Sequence, residues 1–75
     1  MTETLKLDFR GMVAPLNLLK CQRCLKDMKS GDILEVLLSD ADVIADLTTI
    51  IARSSDTVAY QKIKEDGIHL GIRKG

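Results

Sequence analysis

Residues Asp32–Leu38 read Asp-Ile-Leu-Glu-Val-Leu-Leu. Side chains alternate along a strand, so Leu34, Val36 and Leu38 face one way and Ile33, Glu35 and Leu37 the other. Both sets are largely apolar. Such a strand suits the middle of a sheet, paired on each side and with the first set covered by helices. Whatever flanks this run must supply those partners, and this requirement organises the rest of the chain.

Two flanking stretches change from alternation to helical period. Pro15 to about Lys29 places Leu18, Cys21, Leu25 and Met28 on one stripe at 100° per residue, with Lys20, Arg23 and Asp27 opposite. Proline suits the first helical turn, where its missing N–H costs nothing, and Ser30-Gly31 is a stop signal. Leu16 and Leu19 fall outside the stripe, among the charges, and Cys24 sits at its edge. A second helix is predicted from Ala41 to Arg53, with N-cap groups in Ser39-Asp40 and an apolar stripe of Val43, Leu47, Ile50 and Ile51. Ile44 lies at the margin of that stripe.

Leu5–Asp8 alternates as a half-buried strand ahead of the Gly11 turn. Thr57–Glu65 and Ile68–Lys74 are the remaining strands, joined at Asp66-Gly67, a dipeptide suited to a two-residue type I′ hairpin. The order is β-α-β-α-β-β. Right-handed crossovers then place both helices on one face of a four-stranded mixed sheet, a two-layer α/β sandwich. With 75 residues and no linker or repeat, residues 1–75 are expected to form a single domain.

Composition excludes several function classes. Eleven basic and eleven acidic residues give no net charge, so direct nucleic-acid binding by phosphate neutralisation is not expected. One Phe, one Tyr and no Trp leave too few rings for base stacking. No apolar run reaches membrane-spanning length, and the N-terminus lacks a signal-peptide pattern, so the chain is expected in the cytoplasm without a membrane contact. Cys21 and Cys24 are then reduced thiols rather than a disulfide framework. With His69 as the one histidine, the ligand count is too low for a structural zinc site, and neither metal nor cofactor is expected.

The chain resembles the TusA/SirA family of small sulfur-carrier proteins from Leu7 onwards. Leu7-Asp8, Gly11 and Pro15 stand at the family's strand, turn and helix start. Gly31-Asp32 opens the next strand, and Asp40 and Asp46-Leu47 lead into and occupy the second helix. Asp66-Gly67 and Ile72-Arg73-Lys74 close the pattern. The resemblance implies a two-layer sandwich. It also implies a helix-start cysteine that accepts persulfide sulfur from a cysteine desulfurase or a rhodanese-like donor, and passes it to an acceptor protein. A cysteine at a helix N-terminus has a lowered pKa, which favours the nucleophilic thiolate. Here the family cysteine falls on Ala14 and the second family proline on Asn17. A methyl group cannot carry sulfur, whether the thiol was replaced by design or lost in descent. Enzymatic turnover is therefore left open.

Cys24 is the only substitute thiol of interest, because Cys21 lies on the core stripe and the pair is about two turns from the helix start. Pro15, Leu16 and Leu19, with Lys20, Arg23 and Arg10 around them, make a candidate partner-binding patch beside position 14. Free N–H groups at the helix start offer a second candidate, for a small anion. His69 is expected to be solvated, Tyr60 to pack in the sheet, and Arg73 and Lys74 to form a solvated edge. Two functions fit: sulfur relay of the TusA/SirA type, or a non-catalytic interaction module that keeps the docking surface.

Overall fold

A computed structural model of the chain describes residues 3–13 and 15–75. Ala14, on which the carrier expectation falls, lies outside them. The elements run β1 (Thr4–Asp8), α1 (Leu16–Asp27), β2 (Ile33–Leu38), α2 (Ala41–Ala52), β3 (Thr57–Lys64) and β4 (Gly67–Arg73). The sheet order is β1-β2-β4-β3. β2 is parallel to β1 and antiparallel to β4, and β4 is antiparallel to β3. This is the expected four-stranded mixed sheet with two helices.

The two-faced run does sit inside the sheet. Leu34, Val36 and Leu38 are at most 1% exposed, while Ile33, Glu35 and Leu37 are half-buried on the opposite face. One core cluster joins them to Leu70 and Ile72 of β4, Cys21 and Leu25 of α1, and Ile44, Leu47 and Ile51 of α2. Leu18, Cys24 and Met28 pack against its edge. The helical stripes are thus as read, except that Ile44 is a core residue and Val43 and Ile50 are only half-buried. Phe9, which no periodic pattern covers, is also buried; it follows β1 and its N–H bonds the Leu37 carbonyl at 2.8 Å.

Boundaries differ where local chemistry intervenes. Pro15 is the N-cap of α1 rather than its first helical residue, with φ −91° and ψ 8°. α1 stops at Asp27, short of Lys29. Asp32 takes over there: its carboxylate accepts the Lys29 N–H, and its own N–H bonds the Lys29 carbonyl at 3.0 Å. Side-chain acceptors of this kind compete with the helix for backbone donors. α2 begins as read, with the Asp40 carboxylate accepting the Asp42 N–H at 2.9 Å. It ends at Ala52, where Arg53 is the C-cap and the Ser54 hydroxyl bonds the Ile51 carbonyl.

The hairpin between β3 and β4 corrects the expected turn. Its two turn residues are Glu65 and Asp66, and Gly67 already pairs with Lys64. Among the described residues none other than glycine has positive φ, so the turn is not type I′, which needs positive φ at both central positions. The left-handed excursion falls on Gly67 instead, at φ 139°. A Cβ there would lie 2.6 Å from the Leu38 carbonyl oxygen, so close packing on the end of β2 also calls for glycine.

Candidate functional site

The parallel pairing of β1 with β2 sets Asp8 beside Leu37. The connections to α1 and α2 therefore leave the same end of the sheet. In the first connection, Phe9 is anchored in the core, the Met12 N–H bonds the Phe9 carbonyl at 3.1 Å, and Gly11 turns the chain at φ 76°. This sets Met12 half-buried against the core and leaves Val13 67% exposed ahead of α1.

The helix start is less open than its sequence suggests. Asn17 is 1% exposed, and its Oδ1 accepts the Leu18 N–H at 2.8 Å. The Asn17 N–H points to the Val13 carbonyl at 3.4 Å. Two amides of the first turn are thus taken up by the protein, which removes most of the support for an anion held at that point. In the sequence Asn17 stands only as a departure from the family proline. Its burial follows from the tertiary fold, since an asparagine on a helix is ordinarily exposed.

Leu16 and Leu19 are indeed on the outer face, 59% and 57% exposed. With Met12, Lys20 and Arg23 they line a shallow apolar hollow of about 470 Å³. Pro15 is exposed at its approach. Arg10 is placed elsewhere. Its guanidinium grips Asp8 in a fork, Nη2 to Oδ2 at 2.9 Å and Nε to Oδ1 at 3.1 Å, and Nη1 donates to the Asp66 carbonyl. The Asp8 carboxyl is accordingly held below its ordinary range by the Arg10 hydrogen bonds. The expectation that Arg10 belongs to the leucine patch is therefore corrected, because a carboxylate two residues away holds it at the end of the sheet.

A second hollow, of about 410 Å³, opens on the other side of Met12 against the start of α2. Asp40, Asp42 and Asp46 line it together with Met12, Val13 and Val43, and no basic residue does. The carboxylates are plain in the sequence, but their position beside Met12 depends on the strand pairing. Met12 is thus a ridge between a basic apolar flank and an acidic one.

The thiols divide as expected. Cys21 is 1% exposed, and burial pushes its pKa up to about 12. It is inert as a nucleophile. Cys24 is half-buried against the core, in the third turn of α1 and away from the helix start. Among the described residues, no three His, Cys, Asp or Glu side chains converge as a metal site.

The open face of the sheet carries a polar network that sequence reasoning missed. His69 is not solvated: its side chain is 12% exposed, with Nε2 2.8 Å from Asp66 Oδ1 and Nδ1 3.2 Å from Glu35 Oε2. Asp66 first, and then Glu35, raises the His69 pKa above its ordinary value. Tyr60 lies over Gly71 and its hydroxyl donates to Glu35 Oε1. Burial, reinforced by that carboxylate, pushes the phenol up to about 12.

The family model for sulfurtransferase TusA matches residues 5–74. The chain belongs to the TusA family. A putative sulfur carrier protein of Bacillus subtilis is 36% identical over 47 residues, which cover 63% of this chain and 25% of that protein. The match therefore spans a quarter of that relative's length. A crystal structure of a SirA-like protein from Desulfitobacterium hafniense superposes with a TM-score of 0.81 at 20% identity, covering 99% of each chain, and shares the fold. Family membership and fold thus agree: a TusA-family chain with the fold of a SirA-like protein. No helix among the described residues is long and apolar enough to cross a membrane.

Proposed function

We propose that this TusA-family chain works in persulfide relay by docking. Its working surface is the Met12 ridge with Leu16, Leu19, Lys20 and Arg23. Ala14 does not itself hold sulfur. The partners on this reading are a cysteine desulfurase or rhodanese-like donor and a downstream acceptor protein, in the cytoplasm. The observation that carries it is the exposed leucine hollow, rimmed by two cations and built from residues that flank the family's sulfur position in sequence. Apolar centres with charged rims are the ordinary anatomy of a protein interface. Of the two thiols, Cys21 is buried and Cys24 lies away from the helix start, which gives the chain no ready replacement for the missing nucleophile.

In a carrier, the thiolate attacks the outer sulfur of the donor's persulfide. One S–S bond forms as another breaks, and the donor leaves as its thiolate. Ala14 offers no electron pair for that attack. Incubation with a cysteine desulfurase and cysteine, read by intact-protein mass spectrometry, tests this. The wild-type chain is expected to bind the desulfurase without gaining mass, and Ala14→Cys to gain one sulfur, about 32 Da. A wild-type adduct that disappears with Cys24→Ala would instead move the chemistry to Cys24. Absence of both binding and adduct would remove the sulfur-relay reading.

A further inference from the structure

The two flanks of the Met12 ridge have opposite charge and share one apolar crest. On one side stand Lys20 and Arg23, both exposed. On the other stand Asp42 and Asp46, also exposed. Among the described residues none of these four forms an ion pair within the chain. Val13 on the acidic side of Met12, and Leu16 and Leu19 on the basic side, are each more than half exposed.

A single acidic partner would match one flank and be repelled by the other. A two-fold axis running along the ridge matches both. Such an axis lies in the interface and exchanges its two sides, so residue i meets j and j meets i. Lys20 and Arg23 of one copy then face Asp42 and Asp46 of the other, twice, while the crests bury each other. With eleven charges of each sign, the chain has no net charge to oppose its own association. An ordinary interface takes roughly 800 Å² from each partner, a modest share of the 4953 Å² surface of the chain.

The geometry points to a homodimer, formed through the Met12 ridge by a second copy of this chain. The dimer covers the leucine hollow, so it competes with any other protein that docks there. The pairing itself does not depend on the sulfur-relay reading. The apolar crest is small, so dissociation on the order of tens of micromolar is expected.

Sedimentation equilibrium over a wide concentration range tests the pairing with charge variants. The wild type is expected to move from one chain mass towards two as concentration rises, and to dissociate at high salt because the flank pairs are exposed. Lys20→Glu/Arg23→Glu makes both flanks acidic, and Asp42→Lys/Asp46→Lys makes both basic. Each variant alone is expected to be monomeric. Mixed in equal amounts, they are expected to form a heterodimer, in which every facing pair is again complementary. Leu19→Asp, at an exposed position, gives an independent disruption if a charge variant does not fold. The proposal is overturned if the wild type stays monomeric, if the disrupted variants still dimerise like it, or if the mixture of folded variants fails to associate. Binding of a desulfurase by a strictly monomeric wild type would assign the ridge to that partner and overturn the homodimer alone.

Discussion

Gly71→Ala tests how the open face of the sheet is built. Gly71 is buried in β4, opposite Glu35 of β2 on one side and Tyr60 of β3 on the other. A Cβ at this position would overlap the Tyr60 ring at Cε2 and Cζ and lie 2.6 Å from Cδ2. The backbone φ is not positive, so alanine itself is unstrained. The ring must therefore swing away, and its hydroxyl leaves Glu35. Overpacking of this kind costs about 1–3 kcal/mol, and a hydrogen bond to a charged group contributes about 1.5–3 kcal/mol. The pair is only partly buried, which favours the lower values. Replacing a strand glycine returns about 0.5–1 kcal/mol through chain entropy. The expected net loss is about 2 kcal/mol, or roughly 10 °C in Tm for a chain of this size. A double-mutant cycle in urea, with Tyr60→Ala as the second change, isolates the cause. In the Tyr60→Ala background the same substitution is expected to be neutral or slightly stabilising. NMR titration is expected to show the Glu35 carboxyl moving back up, because Tyr60 is the largest cause of its lowered pKa. An equal cost of Gly71→Ala in both backgrounds would refute the argument.

Other outcomes follow from the same contacts. The His69 pKa is raised above 6.5, so its contribution to stability is fully present below that pH and is lost as pH rises through the folded-state value. Thermal melts between about pH 6 and pH 8 should show wild-type Tm falling more than that of His69→Gln. At the acid end, the lowered pKa values of Glu35 and Asp66 mean that their stabilisation is lost as pH falls through those values. Native-state alkylation near pH 8 should spare Cys21, whose pKa is pushed up to about 12, until the chain is unfolded. Asn17→Ala should destabilise by about 1–2 kcal/mol in urea titrations, because it removes a buried acceptor and leaves the Leu18 N–H short of a partner.

How much was legible depended on the range of the interaction concerned. The core faces of α1 and α2 and the central place of β2 were readable because each rests on a local period. Leu16 and Leu19 were readable as outward-facing for the same reason. Arg10 was misplaced because its Asp8 and Asp66 contacts outweigh its nearness in sequence to the leucines. Local pattern leaves His69 in solvent because its partner Glu35 is 34 residues away and reaches it only across paired strands. Tyr60 was expected to pack in the sheet, but the Gly71 space that lets it reach Glu35 follows from the register of β3 and β4.

The amino-acid sequence by itself determined the order of the elements, the faces of the two helices and the absence of a thiol at position 14. Periodicity, capping groups and residue identity are properties of neighbouring positions, so they need no fold to be read. Only the tertiary structure decided how the described residues on either side of that position are arranged. The β1–β2 register brings two connections to one end of the sheet, and so sets a basic flank and an acidic flank against a single methionine ridge.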